Sequence, residues 1–114
     1  MKISSIDQII ERHAHDKEFV VEIFTLFYQQ WPVDTTDISK ALEEKDAKSL
    51  RIIFHKIKGA LLSIGASVEA DTLEQAESAL RDDNFTEVLD LFEQLKKGLS
   101  LLEDQVALLS LKRR

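Results

Sequence analysis

A chain of 114 residues is long enough for one domain with its own core and too short for two, and with 44% hydrophobic and 32% charged residues, three Gly and one Pro it is a folded, mostly helical domain rather than a disordered one. The lack of cysteine excludes a disulfide framework or thiolate metal site, and the net charge of −6 excludes the basic footprint of a general nucleic-acid binder. No signal-peptide h-region and no run of roughly twenty apolar residues is present, so a cytoplasmic protein with no membrane partner is expected.

Ser5-Ile-Asp-Gln8 fits a capping box and opens a short helix through Ile6, Ile9 and Ile10 that ends near His13. Asp16 is the next N-cap, followed by Val20, Ile23, Phe24, Phe27 and Trp31 at helical spacing. The stripe resumes in phase at Ile38 and Leu42, so one long helix kinked at Pro32 is expected; the alternative is two short helices broken at residues 32–36. Asp46 caps a third segment that runs to about Ile64, where Gly65 suits the left-handed stop. Leu73, Ala76 and Leu80 mark the following helix, which ends at Arg81-Asp-Asp-Asn84. The last stripe is the longest: Val88, Phe92, Leu95, Leu99, Leu102, Val106 and Leu109 alternate four and three apart over three heptads. No segment alternates with period two, so the expected fold is all-α, an up-and-down four-helix bundle with a short additional N-terminal helix, forming a single domain over residues 1–114.

At about 100° per residue, Leu50, Ile53, Ile57, Leu61 and Ile64 share the core face of the third segment, with Phe54 on its flank. His55 points the opposite way. Within about 60° of it fall Lys48, Arg51, Ile52, Lys58, Gly59 and Leu62. No acid lies between Ala47 and Val68, so this strip is locally basic in an acidic chain. Gly59 costs about 1 kcal/mol of helix propensity relative to alanine. It leaves room beside the imidazole for a bulky group or an approaching protein, and Lys58 adds a cation suited to an anion. A histidine keeps a nucleophilic nitrogen at neutral pH, so the three residues together suggest a ring that carries phosphate.

"FHKIKGALLSIGA", residues 54–66, resembles the signature of histidine-containing phosphotransfer domains, roughly His-x-Leu/Ile-Lys-Gly followed by small residues, an apolar residue and Gly-Ala. The likeness covers about residues 16 to 100, including a phenylalanine-rich helix before the motif and two helices after it. It implies that His55 accepts a phosphoryl group from a receiver-domain aspartate and passes it to another receiver, without kinase activity of its own. It also implies that Lys58 offsets phosphate charge and Gly59 gives the receiver room. Ile52 and Leu62, ringed by Lys48 and Arg51, are the expected docking contacts. No cofactor is expected on this chain, since Mg²⁺ belongs to the receiver. The expected partners are response-regulator receivers, with a hybrid sensor kinase as a further candidate.

Phe54, Leu61 and Leu62 stand where the family more often has small residues, and Glu77 where relatives often place glutamine or a small residue. A carboxylate there repels phosphate unless it turns outward. His13 and His15, two apart on a helix, point in different directions and are read as a surface pair rather than metal ligands. The aromatic run Phe19, Phe24, Phe27, Tyr28 and Trp31 is assigned to the core, and the final leucine stripe to one wall of a monomer rather than a coiled-coil dimer. Two rival readings are a bundle that binds a receiver without being phosphorylated, and an enzyme using His55 as general base. The second lacks an accompanying nucleophile, carboxylate pair or metal set on that face.

Overall fold

The computed structural model describes residues Met1–Lys112. Five helices follow in order: α1 (Ile6–Arg12), α2 (Lys17–Glu43), α3 (Ala47–Ile64), α4 (Ser67–Arg81) and α5 (Phe85–Lys112). The described residues contain no strand.

Four of the five starts follow from an N-cap side chain that satisfies an otherwise orphaned amide, the exception being α4, whose N-cap is Ala66. Ser5 accepts from the Gln8 amide, Asp16 from Phe19, Asp46 from Ser49 and Asn84 from Glu87. The turns between helices all pass through residues with positive φ, among them Lys45, Gly65 and Asp83. Gly65, at φ 100°, closes α3: its amide and that of Ala66 both donate to the Leu61 carbonyl at 2.9 Å.

One expectation is met here and one changes. The chain continues helically through Pro32, so the two-helix alternative falls. Pro32 has no amide proton to give the preceding turn, but both Thr35 and Thr36 hydroxyls donate back to its carbonyl, at 2.8 and 3.1 Å. His13 is not a plain surface histidine. It is half-buried against the Phe19 ring, and its Nε2 lies 2.7 Å from the Ile64 carbonyl, an arrangement in which the ring nitrogen donates. Arg12 Nη2 donates to the Leu62 carbonyl at 3.3 Å, which also accepts from the Gly65 amide, so α1 and its cap residue add partners for carbonyls at the end of α3. His15 stays exposed.

Around the bundle α2 packs on α3, α3 on α4, α4 on α5 and α5 back on α2, with α1 laid across α2 and α5. The core is continuous through all five helices, and Phe24, Ile38, Leu50, Phe54, Leu61, Leu99 and Leu102 are fully enclosed. Burying a side chain of this size contributes about 1.5–3 kcal/mol. The α5 heptads lie inward throughout, from Val88 to Leu109. The aromatic run divides: Phe24 is enclosed, Phe27, Tyr28 and Trp31 line the edge of the core, and Phe19 is exposed. The Tyr28 hydroxyl donates to the Leu99 carbonyl at 2.6 Å and pins α2 to α5. On α3, Phe54 joins the centre of the core and Ile53 is left half-buried. That is a rotation of about 20° from the face centred on Ile57.

Candidate functional site

The small rotation decides what surrounds His55. Turning the core toward Phe54 keeps His55 on the outer face and swings Lys58 in toward α4, while Lys56 and Ala60 turn toward α2. His55, Lys48, Arg51, Ile52, Gly59 and Leu62 are all exposed, as expected from the sequence. Ile52 is 63% and Leu62 49% exposed, so two large apolar side chains flank the ring in water. Lys48 and Arg51 form no ion pair among the described residues.

A Cβ placed on Gly59 meets nothing within 4 Å. The clearance beside the imidazole is therefore open space and not a close helix crossing. Grooves border this crest on both sides. Lys58, Leu62, Ala70 and Glu74 line the one between α3 and α4, and Phe27, Asp34, Lys56 and Ala60 the one between α2 and α3.

Lys58 is the residue whose setting sequence reasoning missed. Its ammonium is not free: Nζ lies 2.7 Å from Glu74 Oε2 and 3.1 Å from each carboxylate oxygen of Glu77. The hydrogen bond to Glu74 holds the Lys58 ammonium above the ordinary lysine range against the opposing effect of burial. The same bond and the lysine charge hold the Glu74 carboxyl below its usual range, with smaller contributions from Arg81 and His55. Glu77 is buried, with Oε1 receiving no hydrogen bond. It has turned toward the lysine and away from water.

Lys56, next to His55, is also paired, its Nζ 2.8 Å from Oδ1 of Asp34. Thus, of the four cations between Ala47 and Val68, Lys56 and Lys58 meet acids from neighbouring helices, whereas among the described residues Lys48 and Arg51 do not. Asp34 had a legible signal: it falls in phase between Trp31 and Ile38 on the buried stripe, where a lone acid needs a partner. Glu74 gave none, because periodicity does not say which residue of α3 it faces.

A family model for the Hpt domain matches residues 22–105, and those residues contain the whole of α3 and the groove on each side of it. The chain belongs to the Hpt domain family. Hpt domains are phosphotransfer modules of two-component signalling, act with receiver domains and are not kinases. No curated protein and no solved structure gives a significant match. In this Hpt domain α1 lies ahead of the matched residues, yet it fastens the end of α3 through Arg12 and His13. Among the described residues no cluster of His, Cys, Asp or Glu is arranged to hold a metal ion. No helix among them is long and apolar enough to cross a membrane.

Proposed function

We propose that His55 is the phosphoryl acceptor of a phosphorelay, loaded from the aspartyl phosphate of one receiver domain and discharged to the aspartate of another. The observation that carries this reading is an exposed imidazole on α3, one helical turn before a glycine whose missing side chain opens onto free space. A ring nitrogen of neutral His55 attacks phosphorus; its lone pair becomes the N–P bond, and the electron pair of the breaking P–O bond returns to the aspartate as carboxylate. Discharge is the same step in reverse on a second receiver. Such transfer relies on positioning and charge stabilisation more than on local acids or bases, so one imidazole and a neighbouring cation suffice as half of a site.

The receiver supplies the aspartate and its Mg²⁺. Lys58 serves the phosphate, Gly59 admits the receiver, and Ile52 and Leu62 form the apolar contact, with Lys48 and Arg51 steering an acidic partner surface. The domain works in the cytoplasm as a monomer that serves receivers, one of which can belong to a hybrid sensor kinase.

The test is incubation with a receiver domain carrying labelled aspartyl phosphate. Acid-labile, base-stable label is expected on the wild type and none on His55→Gln; label that survives the substitution overturns the assignment. Gly59→Gln is expected to block transfer while the helix is kept. No label on a wild type that binds the receiver supports the rival, a domain that only sequesters its partner.

A further inference from the structure

The pairing of Lys58 has a consequence for the phosphorylated state. The ammonium that the site offers to phosphate is already bound by two carboxylates of α4, at 2.7 Å from Glu74 and 3.1 Å from Glu77. Glu77 has no ready substitute for it, since its side chain is only 10% exposed and the Lys58 ammonium is the cation that both of its carboxylate oxygens face, at 3.1 Å. Lys58, three residues along α3 from His55, carries with Glu74 and Glu77 of α4 a combined formal charge of −1. Arg81 reaches Glu74 only as a distant charge and forms no ion pair among the described residues. A phosphoryl group on His55 brings about two further negative charges to this corner.

We propose that Glu77 and Glu74 are positioning residues that hold the Lys58 ammonium on α4 and yield it only in part to phosphate, so that this domain hands a phosphoryl group on rather than keeping it. The proposal rests on His55 as acceptor. Each carboxylate raises the energy of the phosphorylated site in two ways, by direct repulsion and by competing for the cation. An acceptor tuned in this way loads reluctantly and discharges readily. Glutamine at both positions removes the repulsion and frees the lysine, while keeping side-chain length and hydrogen-bonding capacity.

A donor that needs no protein partner isolates the effect. Phosphoramidate phosphorylates imidazole directly: the N–P bond of the donor breaks, its nitrogen leaves as ammonia, and an N–P bond to the ring forms. The second-order rate constant for labelling of the full chain is expected to rise at least about threefold in Glu74→Gln/Glu77→Gln, since two carboxylate charges are removed and the Lys58 ammonium is released together. The gain shrinks in a Lys58→Ala background, where there is no ammonium to release. An equal gain in both backgrounds, or no gain in either, overturns the proposal. Should the double variant fail to fold, exposed Glu74→Gln carries the same comparison. His55→Gln separates the two ideas: label on it, or no label on any variant, overturns the acceptor reading and this proposal together, whereas His55-dependent labelling indifferent to residues 74 and 77 overturns this proposal alone.

Discussion

Lys56 and Asp34 meet across the seam between α3 and α2, Nζ to Oδ1 at 2.8 Å, immediately beside His55 in the chain. Asp34 is only 4% exposed and has one other partner, the Gln30 side-chain amide at 3.3 Å. Lys56→Ala therefore leaves a buried carboxylate poorly satisfied. Because more than half of the lysine is in water, the expected cost is toward the low end for such a pair, about 1–2 kcal/mol, read as a lower urea midpoint with an unchanged slope. An unchanged midpoint means that water reaches Asp34.

The two glycines of the α3 motif are expected to respond in opposite senses. Gly59→Ala meets no neighbour and gains helix propensity, so it stabilises the bundle by up to about 1 kcal/mol. Gly65→Ala forces φ 100° on a side-chain residue and sets a Cβ 2.7 Å from Arg12 Cδ, costing about 1–3 kcal/mol. Thermal melts of the two variants should bracket the wild type. If both shift the same way, the account of one position fails.

Ser4 is expected to matter more than its place near the chain start suggests. Its amide and hydroxyl both donate to the buried Glu69 carboxylate, and its hydroxyl accepts from the Val68 amide at 3.1 Å. Ser4→Ala strips one donor from Glu69 and orphans an amide in the first turn of α4. A loss of about 1–3 kcal/mol is expected, with faster hydrogen exchange at Val68 as the local signature.

Asp46 gives a pH dependence of defined sign. Hydrogen bonds from the Ser49 hydroxyl and amide hold its carboxyl below the ordinary aspartate value of 3.8. The unfolded chain thus takes up the proton first as pH falls. The cap is at full strength above about pH 3.8 and is lost as pH drops through the lower folded value. Asp46→Asn keeps a capping oxygen without a titrating group, so its melting temperature should fall less steeply below pH 4 than that of the wild type. Parallel curves would mean that the acid loss arises elsewhere, the Glu74–Lys58 pair being the other site with a depressed carboxyl.

How much could be read in advance follows from the range of each interaction. The caps at Ser5, Asp16 and Asp46 and the stop at Gly65 are set within four residues, and the sequence carries them openly. The heptads of α5 and the outward direction of His55 follow from periodicity alone. The contacts made by Lys56 and Lys58 join residues 22, 16 and 19 apart, and His13 reaches 51 positions to Ile64. Those depend on how helices rotate against one another. A difference of about 20° in the α3 face is small, but periodicity along α3 carries no record of the α4 carboxylates that meet Lys58. Pro32 shows the limit of a local rule, since the helix around it is carried by apolar neighbours on both sides, Phe24 and Ile38.

The crest on which His55 stands, with a groove falling away to either side, gives the ring no walls of its own. On the acceptor reading, nothing among the described residues shields the loaded imidazole or decides who unloads it. Catalytic power then arrives with each visitor and departs with it. The direction of signalling becomes a matter of traffic, fixed by how often charged and empty receivers call at the same open berth.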